Sequence, residues 1–153
     1  MPENHQIDNL DKKILNTLLA NARTPYAVLA KKFKVSPATI HVRVEKMKVA
    51  GIITGTHLAI NPRALGFDVC CFIGINLRSA ADYHHVMPLL MEFDEVVEAY
   101  FTTGQYSILV KIMTQSIDAL QKVLMNKIQA IKQVQSTDTL ISLQNPISRA
   151  VQP

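Results

Sequence analysis

The stretch KVSPATIHVRVEKMKVAGII, residues 34–53, decides how the first third of the chain is read. It opens on Ser36-Pro37, an N-cap followed by proline at the first helical position, where a missing N–H costs nothing. It closes on Gly51, which suits the left-handed C′ position after a helix. Between these ends Ile40, Val44 and Met47 fall on one stripe and predict a buried face. Ala38, Val42, Glu45 and Val49 lie opposite. Thr39 and Lys46 flank that outer face on one side, His41 and Lys48 on the other. Such a helix is either an amphipathic core helix with a solvated basic face or a reader of DNA. Its surroundings decide.

Upstream, DNLDKKILNTLLANA (8–22) predicts a helix with Asp8 as N-cap, Asp11 in the first turn, and Leu10, Ile14, Leu18 and Leu19 on one apolar face. RTPYAVLAKKFKV predicts a second helix, capped by Thr24 with Pro25 first, and Tyr26, Leu29, Ala30 and Phe33 inward. Only the tight turn KFKVSP separates it from the third helix. IITGTHLAI then reads as strand, turn and strand. Helix, helix, tight turn, helix and hairpin within about 60 residues make a winged helix-turn-helix pattern. Residues 1–66 carry ten Lys/Arg against four acids, a surplus of six, whereas 67–153 carry six against eight. A basic first part suits a polyanion. In that context the small Ala38 and Thr39 let the helix start approach a groove floor, beside Ser36. Thr39 suits a base edge and Val42 a thymine methyl. His41, Arg43, Lys46 and Lys48 suit phosphates, as do Lys31, Lys32 and Lys34.

NPRALGF (61–67) holds Pro and Gly and separates the two parts. The expected division is a DNA-binding domain at 1–60, a linker at 61–66 and a second domain at 67–153. DVCCFIGINL (68–77) is a nearly continuous apolar strand. ADYHHVMPLLMEF (81–93) looks helical, with Pro88 predicting a kink or a late start. EVVEAYFTT (95–103) and YSILVKIM (106–113) are strands about a Gly104-Gln105 turn. Ser116 caps SIDALQKVLMNKIQAI, whose Ile117, Leu120, Leu124, Ile128 and Ile131 form one stripe. VQSTDTLISLQ (134–144) closes a βαββαβ order, the ferredoxin-like arrangement, so the chain as a whole is of the α+β class. Two helices cover only one face of a four-stranded sheet. Yet the first strand is apolar on both sides, with Val69, Cys71, Ile73 and Ile75 on one, and Cys70, Phe72 and Leu77 on the other. Sheet-to-sheet dimerisation covers the second face economically and matches DNA with two half-sites.

The chain shows no phosphate-cradling Gly loop, no metal-spaced cluster and no nucleophilic triad, so neither an enzyme nor a metal or other cofactor is expected. His84 and His85 are adjacent on a helix and make poor co-ligands. Cys70 and Cys71 point to opposite faces of a strand and read as inert thiols. No apolar run is long enough for a membrane span and the N-terminus has no apolar leader core, which points to the cytoplasm, with the protein nucleoid-associated when bound to DNA.

LDKKILNTLLANART, LAKKFKVSPATIHVRVEKMKVAGIITG, DEVVEAYFTTGQYSILVKI and SIDALQKVLMNKIQAIKQVQSTDTLI together resemble the Lrp/AsnC family of "feast/famine" transcription regulators over roughly residues 7–147. SPATIHVRVEKMK and YFTTGQYSI place the chain nearest its asparagine-responsive members. The resemblance implies a C-terminal domain that binds an amino acid, and dimers that assemble into an octamer of four dimers. It places the effector between dimers, around Tyr100, Thr102, Thr103, Gly104, Gln105, Tyr106 and Ser107, with Gln129, Thr137 and Thr139 contributing from the last helix and strand. Many members carry Thr-Gly-x-Tyr-Asp at the turn, where this chain has Ser107 in place of the acid. The loss of that acid disfavours a cationic ligand and suits asparagine or another small polar amino acid. The expected function is amino-acid-modulated regulation of asparagine metabolism genes. The alternative is an architectural DNA-binding protein whose second domain only oligomerises.

Overall fold

The computed structural model describes residues 6–153, so the polar start before Gln6 lies outside the described residues. Two compact units emerge. One runs up to Ala59 and includes Ile147–Pro153, and the other is Ile60–Pro146. The last seven residues thus group with the first unit, not with the second domain in which the expected 67–153 span placed them.

In the first unit, α1 (Asn9–Ala20) begins at Asp8, whose carboxylate accepts from the Leu10 and Asp11 N–H groups at 2.8 and 2.9 Å. Asp11 returns the bond to the Asp8 N–H at 3.1 Å and completes a capping box. The buried face is Ile14 and Leu15, with Leu10 and Leu18 partly covered, while Leu19 is about half exposed, against the expected stripe. The second helix, α2 (Tyr26–Phe33), starts one residue later than read. Pro25 occupies the N-cap, its carbonyl accepts from Val28 and Leu29, and the Thr24 hydroxyl turns back to the Asn21 carbonyl instead of capping. Lys34 closes α2 in the left-handed region at φ 57°. Helix α3 (Pro37–Val49) matches its reading at both ends. The Ser36 hydroxyl accepts from the Thr39 N–H at 3.1 Å. At the far end Gly51 at φ 72° donates to the Lys48 carbonyl and Ile52 to Met47, a Schellman closure. Ile40, Val44 and Met47 are buried against α1 and α2.

The hairpin expected after α3 is absent: residues 52–60 form no strand. An isolated two-stranded hairpin is marginal without an apolar face to bury. Here Leu58 and Ile60 stay largely exposed, so nothing drives the pairing. The segment expected as linker is ordered as a 3₁₀ turn, Pro62–Leu65, capped by Asn61 and closed by Gly66 at φ 84°.

The second unit carries β1 (Val69–Leu77), α4 (Tyr83–Met91), β2 (Val96–Phe101), β3 (Ile108–Thr114), α5 (Ile117–Val123) and β4 (Val134–Ile141). The strands form one antiparallel sheet in the order β2-β3-β1-β4. Both helices lie on one face, where Val86, Leu90, Leu120, Val123 and Ile128 pack on Cys71, Ile73, Ile75, Val110 and Ile112. Leu77 belongs to this buried face. It lies two residues beyond Ile75, and alternation carries it to the same side rather than the one expected. Helix α4 neither starts late nor breaks at Pro88. A 3₁₀ turn, Ala80–Asp82, leads into it and Pro88 sits inside it. The final helix departs from its reading. After Val123 it widens to a π turn, Leu124–Ile128, with Gln129 donating to the Leu124 carbonyl. The inserted residue re-registers the apolar stripe, so Leu120, Val123, Ile128 and Ile131 are buried and Ile117 is exposed.

Gly51→Ala provides a clean measure of the α3 stop. An added Cβ meets nothing within 4 Å, so only the backbone strain at φ 72° opposes it. A loss of about 1 kcal/mol is expected, read as a lower denaturation midpoint with unchanged slope.

Candidate functional site

Helix α3 presents an outer face with Val42 half exposed and Ala38, His41, Lys46 and Lys48 exposed. The capping geometry binds Ser36 and Thr39 together, with their hydroxyls 2.8 Å apart. The His41 ring meets Tyr26 edge-on at 5.9 Å between centroids. Lys48 pairs with Glu45 at 2.8 Å, and this contact holds the Glu45 carboxyl below its ordinary range and the Lys48 ammonium above its own. Arg43 departs most from its reading as a phosphate contact. Its Nη1 donates to Asp8 Oδ2 at 2.7 Å and to Asp11 Oδ1 at 2.9 Å, although both acids belong to the start of α1. These hydrogen bonds raise the guanidinium pKa. The Asp8 carboxyl is held low by the Asp11 N–H and by Arg43. A shallow cleft runs between these acids and the Ala38–Val42–Lys46 side of α3.

The second site is the turn after β2. Thr102 closes it: its N–H donates to the Ser107 carbonyl at 3.1 Å and its hydroxyl to the Tyr106 carbonyl at 2.6 Å. Gly104 stands at φ 128°, where other residues are strained, and Thr103, Gly104 and Gln105 are exposed. Ser107 is engaged within the fold. Its N–H donates to the Ile75 carbonyl at 3.0 Å, and its hydroxyl accepts from Leu77 at 3.4 Å, beside the register shift at Asn76/Leu77. The Tyr106 ring lies on the helix-free face against Gly74, and its hydroxyl donates to Asp138 Oδ2 at 2.7 Å. Tyr100, on the same face by its pairing with Leu109, donates to Glu98 Oε2 at 2.5 Å. Glu98 also receives Lys111 at 2.8 Å, and these two partners depress its carboxyl pKa.

The turn itself carries no acid, as read, but carboxylates from β2 and β4 reach its neighbouring tyrosines. Sequence reasoning missed Asp138 and Glu98. Gly74, a mid-strand glycine, was the available signal, since such positions mark a close approach. Gln129 and Thr137 bond each other at 2.8 Å, and Thr137 and Thr139 pair with Ile75 and Ile73 on the helix side of the far-edge strand β4. One chain therefore splits the expected effector residues between two places.

Elsewhere, His84 and His85 are exposed. Among the described residues no group of three or more His, Cys, Asp or Glu is placed to hold a metal. Burial pushes the Cys71 thiol up to about 11. No helix among the described residues is long and apolar enough to cross a membrane.

These two arrangements are a helix-turn-helix and a four-stranded α+β ligand domain. Residues 7–48 match the model of the AsnC-type helix-turn-helix domain, and residues 70–151 that of the Lrp/AsnC ligand binding domain. The regulatory protein AsnC of Escherichia coli strain K12 is 63% identical over 151 residues, 99% of each chain. That of Haemophilus influenzae is 62% identical over 149 residues, 97% of this chain and 99% of its own. The structure of E. coli AsnC superposes with a TM-score of 0.94 at 62% identity, over 97% of this chain and 100% of the other. A Neisseria meningitidis regulator solved with L-Met shares the fold at 21% identity, with a TM-score of 0.90 over 97% of each chain. The chain belongs to the Lrp/AsnC family and is an amino-acid-responsive transcription regulator.

The Gly74–Tyr106 contact yields a prediction. A Cβ at Gly74 would sit 2.5 Å from the Tyr106 ring, so Gly74→Ala must displace the ring. The Asp138 hydrogen bond raises the Tyr106 hydroxyl above its ordinary pKa. Ultraviolet titration is therefore expected to show one of the four tyrosines ionising at lower pH in the variant.

Proposed function

We propose that the chain controls genes of asparagine metabolism and that asparagine is its effector. The observation that carries this reading is the turn at Thr102–Ser107. Its closed backbone presents an exposed Gly104 that a ligand carboxylate can approach, among hydroxyl and amide side chains suited to a polar ligand. The identity to two AsnC proteins across nearly the whole chain supports the choice of asparagine. The effector residues lie in two groups within one chain, Tyr100, Thr102, Thr103, Gly104, Gln105, Tyr106 and Ser107 in one, Gln129, Thr137 and Thr139 in the other. That division supports a pocket completed by a second copy. Asp138 and Glu98 weaken the argument that a cationic ligand finds no partner here. The preference for asparagine over lysine then rests on their engagement by Tyr106, Tyr100 and Lys111.

The helix-free sheet face bears the partly covered Phe72, Leu109 and Met113 beside the exposed Leu140, and a second copy covers it. Dimers built this way assemble further, as an octamer of four dimers, and act in the cytoplasm on double-stranded DNA, at the nucleoid when bound. On α3, Ser36, Ala38, Thr39 and Val42 face base edges, and His41, Lys46 and Lys48 face phosphates.

Calorimetric titration with asparagine, aspartate, glutamine, leucine and lysine tests the effector. Asparagine binds tightest in this reading, and Gly104→Val abolishes its binding while basal DNA affinity persists. A preference for leucine or lysine rejects it. A ligand-independent operator affinity in every case would favour the architectural alternative. For the interface, Phe72→Glu with Leu140→Asp should shift sedimentation to a smaller species. For the helix, Lys46→Ala should lower the slope of log affinity against log salt by about 0.9. Thr39→Ala and Val42→Ala should change base preference by about 1–3 kcal/mol per contacted position.

A further inference from the structure

Arg43 sits in the middle of the DNA-reading helix, where a guanidinium is the usual phosphate or guanine ligand. The structure spends it differently. Nη1 is shared between two carboxylates that both lie in the first turn of α1, at 2.7 and 2.9 Å. Asp11 is buried, with only 1% of its side chain exposed, and cannot follow the arginine out to solvent. It is also fixed by the Asp8 N–H, and Asp8 is fixed by the N–H groups of Leu10 and Asp11. The acceptors are therefore anchored to the backbone of α1 before Arg43 arrives. The Arg43 side chain is itself only 29% exposed.

The apolar contacts of α3 are made by Ile40, Val44 and Met47 alone, a narrow stripe that leaves rotation about the helix axis weakly opposed. Arg43 adds a directional tie on the flank of that stripe. A tie of this kind sets the angle at which Thr39, Val42 and Lys46 face outward, because they line the same cleft. We propose that Arg43 is a positioning residue, which sets the pose of the DNA-reading helix through Asp8 and Asp11 rather than by binding phosphate itself. This rests on α3 being the reader of DNA.

The two roles differ in what removal of the acids does. If Arg43 binds phosphate, the acids compete with DNA, and neutralising them leaves affinity unchanged or raises it. If Arg43 positions the helix, neutralising them loosens the reader. The test uses the full-length protein on a duplex selected from a random pool by the wild type, and on a scrambled duplex, across a series of salt concentrations. Asp11→Asn keeps an oxygen for the capping box. Asp8→Asn keeps a good N-cap and is safe for folding. Expected is a roughly tenfold loss on the selected duplex for Arg43→Gln and for Asp11→Asn, as for a charged hydrogen bond. Asp8→Asn, at the exposed acceptor, loses about two- to threefold. The double variant Arg43→Gln with Asp11→Asn is no weaker than Arg43→Gln alone. Affinity for the scrambled duplex and the salt slope stay at wild-type values, so the specificity ratio falls, which a loss of stability alone would not produce.

A slope reduced by about 0.9 in Arg43→Gln, with Asp8→Asn and Asp11→Asn unchanged or tighter, overturns the proposal and makes Arg43 a phosphate ligand. Lys46→Ala, Thr39→Ala and Val42→Ala run beside these variants. If none of the three alters binding, the helix is not the reader and the proposal falls with that assignment. If they alter it and the acid variants do not, the proposal falls alone.

Discussion

Two helices against four strands is the constraint from which the second unit follows. A βαββαβ chain returns both of its helices to the same side of the sheet, and here they seal Cys71, Ile73, Ile75, Leu77, Val110 and Ile112 beneath Val86, Leu90, Leu120, Val123 and Ile128. The opposite face receives no such cover. What lies on it is a mixture that water tolerates poorly in some places and well in others: Phe72, Leu109, Met113 and Leu140 beside Glu98, Lys111 and Asp138. The ion pair of Glu98 with Lys111 and the hydrogen bond of Tyr106 to Asp138 neutralise the polar part of that surface internally. A face whose charges are already paired is easier to desolvate against a second copy than one whose charges still need water.

Tyr106 links this face to the effector turn. Its backbone carbonyl is the acceptor that closes the turn through Thr102, while its ring and hydroxyl rest on Gly74 and Asp138. A ligand that reorders residues 102–107 therefore acts on the sheet face through one side chain. Any such coupling is reciprocal, so assembly must feed back on effector affinity by the same factor.

How much of this was legible beforehand depends on how local the determining physics is. The caps Asp8, Ser36 and Ser116 were readable because a side-chain oxygen and an N–H three residues on suffice to define them. The order of strands and helices was readable for the same reason. The hairpin after α3 was misread because alternation in IITGTHLAI says nothing about whether a surface exists to pack on, and Leu58 and Ile60 have none. The π turn at Leu124–Ile128 was invisible, since a 3.6-residue stripe continued plausibly through it. At the sites, the identity of the turn residues was readable but their engagements were not. Ser107 is held by Leu77, thirty residues away in sequence, and Tyr106 by Asp138, thirty-two away. Arg43 is the same case, with acceptors thirty-five and thirty-two residues upstream.

The acids of the basic domain have a physical role that net charge conceals. Of the four in residues 1–66, Asp8, Asp11 and Glu45 all lie against cations of α3. They lower the charge that attracts DNA, which looks like a cost in a DNA-binding domain. Long-range attraction, however, depends on the summed charge and is insensitive to where each cation points. Lys12, Lys13, Lys31, Lys32, Lys34 and Lys46 supply it. Reading a sequence requires the opposite property, a helix whose side chains hold one orientation against the groove. Short bonds to carboxylates anchored in a neighbouring helix provide that orientation, and flexible lysines do not. The domain thus divides its cations between attraction and alignment, with the acids marking which are used for the second.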